Sequence, residues 1–331
     1  MNIAIIGATG AVGREIIKCL DRLKFPVDQL FLVASDRSVG QVLETPFGKI
    51  TLESLNEAVF SKADIAIFSA EKEISLEYAP LAKKHNCLMI DNSSAFRYDD
   101  NVPMIIPEIN ADLAITHQGI IANPNCTTAI AAVVLWPLHQ AFGLKKVIIS
   151  TYQAASGAGQ KAMDELTNQT KDYLAGKPET VKYFQYPLAF NIIPHIDEFQ
   201  ENGYTREEMK VVWEMRKIFR DSDLAISCTA VRIPVLRVHS ESITIETEKM
   251  INPELARKIL IQAPGVILVD EPQKNLYPMP RDLANHDDVA VGRIRQNLIF
   301  GDHGLDLFIA GDQLLKGAAL NAVQIAKLFS K

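Results

Sequence analysis

The sequence has no block of lysine and arginine, and its 34 basic residues are outnumbered by 40 acidic ones, for a net charge of −6 at pH 7. An acidic chain without a basic tract has no electrostatic footprint for nucleic acid, so no such partner is expected. Cysteine is sparse: Cys19, Cys87, Cys126 and Cys228 are scattered, with no Cys-x-x-Cys pair and no Cys/His spacing of the zinc type. No metal site is expected from them. Long apolar runs are missing too. The longest, Ala129 to Trp136, falls far short of the ~20 residues that a bilayer span requires. The opening MNIAIIGATG carries neither a basic leader nor a small-residue cleavage site after its apolar run, so it does not read as a signal peptide. The expectation is a cytoplasmic protein with no membrane partner and with reduced thiols.

What is present is ordinary globular composition, 48% hydrophobic and 22% charged over 331 residues, a length that suggests two domains. The run Ile3 to Ile6 leads into GATGAVG, Gly7 to Gly13, and then into REIIKCLDRL with apolar residues at helical spacing. Strand, glycine turn and helix in that order let a backbone approach a pyrophosphate while the helix N-terminus receives its charge. The spacing here is G-x-x-G-x-x-G, and a structural tight turn is the alternative. A second strand at Leu30 to Ala34 precedes SDRS. Arg37 with Ser35 and Ser38 suits the 2′-phosphate of NADP, whereas solvated turn residues would look the same. Strands at Ile65 to Ser69 and Cys87 to Asp91, with a helix from Ser75 to His85 between them, complete the pattern of a doubly wound sheet. Arg97, in a polar loop beyond the end of a strand, is either an anion binder or a surface arginine.

The stretch NPNCTTAIAAVVLWPL, Asn123 to Leu138, places Cys126 where an apolar helix begins, with Asn125 as its cap. A thiol there faces unpaired N–H groups and the positive end of the helix dipole, which favours thiolate. The same N–H groups can hold the oxygen that turns negative when a thiolate attacks a carbonyl. The plain alternative is a small buried packing residue. Beyond Lys145 a strand runs into the small-residue turn Ser156 to Gly159 and a helix through Leu174. Tyr183 to Pro194 reads as a loop or irregular strand. In the charged helix that follows, Glu207 and Lys210 share a face, as an exposed ion pair would. Strands are expected at Ile226 to Ile233 and Arg237 to Thr247, and in the latter His239, Glu241, Ile243 and Ile245 alternate against Val238, Ser240, Ser242 and Thr244. His239 is either a satisfied core group or a base for Cys126 that titrates near neutrality. Strands at Val266 to Asp270, Val289 to Ile294 and Leu305 to Ala310, then a C-terminal helix, close a second sheet of mixed type.

Several of these pieces stand in the order of one family. GATGAVG, DNSSAFR (Asp91 to Arg97), VPMIIPEIN (Val102 to Asn110), NPNCTT, TYQAASGAG (Thr151 to Gly159), EEMK (Glu207 to Lys210), RIPVLRVHSE (Arg232 to Glu241), GRIR (Gly292 to Arg295) and KGAALNAVQIA make the chain resemble aspartate-semialdehyde dehydrogenase over its full length, in its shorter bacterial form. The resemblance implies an α/β fold, a Rossmann-like doubly wound sheet plus an α+β catalytic and dimerisation domain with a mixed sheet. It divides the chain into residues 1–125 with helix 311–331, for NADP, and residues 126–310. It implies an NADP-dependent oxidoreductase that converts L-aspartyl 4-phosphate to L-aspartate 4-semialdehyde and phosphate, in the biosynthesis of lysine, diaminopimelate, threonine, methionine and isoleucine, as a homodimer.

By the same resemblance Cys126 forms the thioester, His239 is the general acid/base and Gln153 orients the intermediate. Arg97, Asn125 and Lys210 hold the phosphate, Arg232 the α-carboxylate and Glu207 the α-ammonium. Cofactor contacts come from Gly7, Thr9, Gly10, Ala11, Val12 and Gly13, from Arg37 and Ser38, and, nearer the nicotinamide, from Ser156, Gly157 and Asn321. One departure stands out: after Ala70 the family often has a glycine-rich turn near the cofactor, and this chain has Glu71, Lys72 and Glu73. The nearest alternative is an N-acetylglutamyl-phosphate reductase-like enzyme, which tends to set its cysteine in a PGCY-like context. A non-catalytic NADP-sensing protein is the other.

Overall fold

The structure, a computed structural model, describes residues 1–330. The chain divides into two units, Met1–Asn125 together with the chain from Ala318 onward, and Cys126–Gly317. Residues 311–317, grouped with the first domain in the sequence reading, thus fall in the second unit.

In the first unit β1 (Asn2–Ile6), β2 (Gln29–Val33), β5 (Ile65–Phe68), β6 (Leu88–Asp91) and β7 (Ile120–Ala122) form a wholly parallel sheet in the order β2-β1-β5-β6-β7. The central strands are buried on both faces, which is why their sequences run continuously apolar instead of alternating. Helices α1 (Ala11–Arg22) and α3 (Lys72–Lys84) are the crossovers, with the short α2 (Glu57–Lys62) and α4 (Pro107–Asn110) beside them. Phe60 stacks on Phe68 with ring centroids 6.1 Å apart and neither ring reaches solvent. Truncating either to alanine would cost about 3–5 kcal/mol. The hairpin of β3 (Val42–Thr45) and β4 (Gly48–Thr51) was not visible in the sequence, because strands of four half-exposed residues carry too little periodicity.

The second unit opens with α5 (Cys126–Phe142), apolar and buried along most of its length. Its sheet is mixed, in the order β11-β12-β13-β10-β8-β9, from β8 (Leu144–Gln153), β9 (Ala225–Arg232), β10 (His239–Thr247), β11 (Val266–Leu268), β12 (Val289–Gln296) and β13 (Gly304–Gly311). β8 with β9 and β11 with β12 are parallel and the other pairs antiparallel. Helices α5, α7 (Arg206–Phe219) and α8 (Pro253–Leu260) pack on it, while α6 (Gln160–Leu174) and the short α9 (Pro280–Leu283) complete the unit. α7 starts sharply because Thr205 and Glu208 cap it reciprocally: the Glu208 N–H donates to Thr205 Oγ1 (3.3 Å) and the Thr205 N–H to Glu208 Oε2 (2.6 Å). β10 begins two residues later than its sequence suggests, since Val238 has φ +79°, a left-handed conformation that a β-branched residue adopts only under constraint. The constraint is Gln313, whose Oε1 accepts the Val238 N–H at 2.8 Å. After β13 the chain passes through a π-helical turn, Leu315–Ala319, into α10 (Leu320–Lys327), which packs on α1.

Candidate active site

In the first unit the glycine turn follows β1, an interior strand of the sheet, between β2 and β5. Gly7 has φ +82°, and a Cβ on it would run into the Ser69 carbonyl, as one on Gly13 would into the Gly7 carbonyl. No other residue fits this tight entry into α1. Gly10, exposed, is the N-cap of α1, whose first turn holds no acid. The backbone there is open to an anion, so these residues suit a dinucleotide pyrophosphate. The Gly7 and Ala8 N–H groups both donate to the Val33 carbonyl, at 2.9 and 3.0 Å, which sets the Ser35 to Ser38 turn, with the exposed Arg37, beside Gly7 to Gly13. The Glu71-Lys72-Glu73 departure has a local reason: these residues start α3, where acids meet the positive end of the helix, and both glutamates are exposed. Arg97 is 6% exposed and donates from Nε to the Asn123 carbonyl (2.9 Å) and from Nη2 to the Asn92 carbonyl (2.7 Å). It is no surface arginine. Asn321 is fully buried and donates to the Ile105 carbonyl (2.9 Å) and Asn123 Oδ1 (2.6 Å).

The second unit gathers the chemistry. Cys126 is the first residue of α5 and the one cysteine that is not buried among the described residues. Burial pushes the Cys87 thiol up to about 12 and Cys228 well above its ordinary value, so those two are inert. Gly317 lies against Cys126: a Cβ on Gly317 would sit 2.6 Å from the Cys126 Cβ and 3.0 Å from its Cα. This glycine was missed as a site residue, although its place in the small-residue run KGAALNA was the available signal. Arg232, at the end of β9, is 7% exposed. Burial lowers its pKa, while Glu207 and Cys126 work in the opposite direction, so guanidinium, carboxylate and thiol share one electrostatic environment.

His239, at the start of β10, is wholly buried, and its Nδ1 accepts the Ala154 N–H at 3.0 Å. An amide N–H only donates, so the neutral ring must carry its proton on Nε2. Gln153 Nε2 stands 3.5 Å from His239 Nε2 and donates to Glu207 Oε1 at 3.2 Å, while its Oε1 accepts the Thr151 hydroxyl at 3.1 Å. The expectation that His239 titrates near neutrality fails here. Burial and the Arg232 charge hold its pKa down at about 3, against smaller opposing effects of Glu207 and the Val238 carbonyl. A Cβ on Gly157 would lie 3.1 Å from both Arg232 Nη1 and His239 Nε2, so the bare backbone of the Ala155–Ala158 turn leaves space over those two groups. Neighbouring Ser156 hydrogen-bonds to Gln313.

Glu207 and Lys210 form a largely buried ion pair of 3.0 Å, at 8% and 15% side-chain exposure, in place of the exposed pair that helix spacing suggested. Lys210 also donates to Asp197 Oδ2 at 2.6 Å. Burial works to lower the lysine pKa, but Glu207 and Asp197 outweigh it and the ammonium ends above its usual value. Asp197 had no signal in the sequence, lying in the irregular stretch before α7. No group of His, Cys, Asp and Glu suited to a metal ion occurs among the described residues.

A parallel sheet with a glycine turn after an interior strand, joined in one chain to a unit carrying a partly buried cysteine at a helix start in one electrostatic environment with arginine, and a neutral histidine, defines a dinucleotide-dependent oxidoreductase of the cysteine-nucleophile class. Comparison with known proteins agrees: residues 2–117 match the family described as semialdehyde dehydrogenase, NAD binding domain, and residues 135–316 match semialdehyde dehydrogenase, dimerisation domain. The chain belongs to the aspartate-semialdehyde dehydrogenase family. It is 50% identical to the aspartate-semialdehyde dehydrogenase of Aquifex aeolicus, covering 100% of this chain and 98% of that protein, and 45% identical to that of Bacillus subtilis, covering 100% and 98%. The crystal structure of aspartate semialdehyde dehydrogenase II from Vibrio cholerae, complexed with ASA, superposes with a TM-score of 0.96 at 42% identity, over 99% of this chain and 97% of that one.

Proposed function

We propose that the chain catalyses the reversible, NADP-dependent conversion of L-aspartyl 4-phosphate to L-aspartate 4-semialdehyde and phosphate. The observation that carries this reading is the helix-start thiol of Cys126 in one electrostatic environment with the Arg232 guanidinium, which with His239 Nε2 lies against the Gly157 backbone. In the reductive direction the Cys126 thiolate attacks the acyl carbon. The bond from that carbon to the phosphate oxygen breaks, and phosphate departs with the electron pair, leaving a thioester on Cys126. When bound, NADPH supplies the hydride that reduces this acyl group. The tetrahedral oxyanion then re-forms its carbonyl by expelling the Cys126 thiolate, which needs no proton; the one proton that the reductive direction consumes is taken up by the departing phosphate.

The hydride half therefore calls for a hydrogen-bond donor to the oxyanion, which a histidine held neutral can be. His239 acts as an Nε2–H donor to the oxyanion and not as a shuttle between protonation states. Gln153 and Glu207 fix the neighbouring hydrogen-bond positions, Arg232 offers a planar fork to the substrate α-carboxylate, Glu207 faces the α-ammonium and Lys210 serves the phosphate. Thr9, Ala11 and Val12 with the three glycines would hold the pyrophosphate, and Arg37 with Ser38 the 2′-phosphate.

A homodimer is part of the same proposal. It is supported by the dimerisation-domain match and by the face of the six-stranded sheet left uncovered by α5 and α7, where Ile148 is 47% exposed and Tyr152 pairs with Phe308 at 6.1 Å. The pathway reading sets the enzyme in the cytoplasm. The test is the reverse assay: aspartate semialdehyde, phosphate and NADP should give NADPH absorbance that requires all three, and absence of phosphate-dependent NADPH would refute the reading.

A further inference from the structure

A cavity of about 170 Å³ in the second unit is lined by Asp197 and Arg232, together with His195, Gln185, Tyr183 and Ala158. It brings a carboxylate and a guanidinium to one small enclosure, which is the pairing a zwitterionic amino-acid head group would need. His195 adds to it: its ring stacks on Phe199 at 4.4 Å, and its buried Nε2 has no hydrogen-bond partner. Asp197 is not a chance neighbour. The segment that carries it is tied to β9, where the Ile193 N–H donates to the Arg232 carbonyl (3.0 Å) and the Arg232 N–H to the Ile193 carbonyl (2.8 Å). Asp197 itself is held at φ +71°, with Oδ1 accepting the Glu198 N–H at 2.9 Å and Oδ2 accepting the Lys210 ammonium at 2.6 Å.

Both carboxylates are hydrogen-bonded through both oxygens, but Glu207 is at 8% exposure whereas the Asp197 side chain is 29% exposed and borders the cavity. Asp197 and Arg232 bring one charge of each sign to the lining of the enclosure, in balance. A head group that adds one charge of each sign keeps that balance, which a lone anion or a lone cation would upset.

We propose that Asp197 is the substrate-selecting carboxylate of this enzyme, receiving the α-ammonium of the amino-acid substrate while Arg232 receives its α-carboxylate. The inference rests on the function proposed above and adds to Glu207 a second acceptor that borders the cavity. The Lys210 ammonium on Asp197 Oδ2 is a cationic nitrogen that this carboxylate already accepts.

The experiment compares the full-length enzyme with its Asp197→Asn and Asp197→Glu variants in the phosphorylating direction, using L-aspartate 4-semialdehyde and 4-oxobutanoate, the same aldehyde without the amino group. Asp197→Asn should lower kcat/KM for the amino substrate by about 10- to 100-fold. It should leave that for 4-oxobutanoate, and the KM for phosphate, within about threefold, and Asp197→Glu should recover part of the preference. An equal loss on both aldehydes, an effect confined to the phosphate KM, or unchanged discrimination would each overturn the proposal. Failure of the unsubstituted enzyme to use aspartate semialdehyde would instead remove the function on which it rests.

Discussion

Replacing His239 by alanine and by glutamine separates hydrogen-bond donation from proton carriage. Because the Ala154 N–H occupies Nδ1, the ring offers one donor, Nε2–H, and its pKa of about 3 leaves it neutral throughout the range in which enzymes are assayed. Loss of a single oxyanion donor costs about 10²–10³ in kcat, roughly 3–4 kcal/mol, and His239→Ala should fall in that range. Glutamine returns an N–H donor without a titrating group, so His239→Gln should recover to within about tenfold of the unsubstituted enzyme. The assay is kcat and kcat/KM against pH for the three proteins, by NADPH formation from aspartate semialdehyde, with circular dichroism to establish that each variant is folded. Any acid limb of the profile should persist unchanged in His239→Gln. A limb near the ordinary histidine pKa that vanishes in His239→Gln, with that variant as slow as alanine, would show that imidazolium takes part and would refute the neutral-donor mechanism.

Stability gives an independent reading of the same group. Its folded pKa lies below the unfolded value of 6.5, so between about pH 6.5 and 3 the unfolded chain binds a proton that the folded one does not. The contribution is complete above 6.5 and is lost as pH falls, up to an order of 5 kcal/mol, and urea unfolding of His239→Gln should show a shallower acid loss.

Gly317→Ala should slow turnover at least about tenfold and retard alkylation of Cys126 while leaving the fold intact, because the new Cβ displaces the thiol. Equal labelling rates would exclude this. Glu241 is wholly buried, neither carboxylate oxygen has a hydrogen-bond partner, and burial raises its pKa well above 4.5. The folded chain therefore keeps a proton that the unfolded chain has released, stability falls as pH rises from 4.5 toward the raised pKa, and Glu241→Gln should flatten this slope in urea titrations. An identical slope in the variant would place the pH dependence elsewhere. Arg37, exposed beside the glycine turn, should confer preference for NADP over NAD, and Arg37→Ala should raise the KM for NADP about tenfold or more with that for NAD little changed. Equal effects on both cofactors would remove the 2′-phosphate contact.

Much of this arrangement was legible in residues alone, and the reasons differ by element. Ile3 to Ile6, Ile65 to Phe68 and Leu88 to Ile90 announce buried parallel strands because both their faces are covered, and GATGAVG marks the turn that only small residues permit. Cys126 was placed at its helix start because the polar NPN segment gives way abruptly to an apolar run. The protonation state of His239 was not legible, since it depends on an N–H eighty-five residues away in sequence and on the charge of Arg232. Asp197 escaped for a related reason: its placement comes from a left-handed backbone and from strand pairing at Ile193, neither of which leaves a periodic signature. Glu207 and Lys210 show the limit of helix-face reasoning, which finds the pair but not its burial.

The account stands on a covalent acyl group carried by Cys126, and that can be weighed directly. The enzyme should be mixed with L-aspartyl 4-phosphate in the absence of cofactor, quenched in acid, digested and mapped by mass spectrometry. An aspartyl adduct on the Cys126 peptide, discharged by NADPH as aspartate semialdehyde appears and absent from Cys126→Ala, is the expected result. Full turnover by Cys126→Ala, or an adduct carried on another residue, would contradict it.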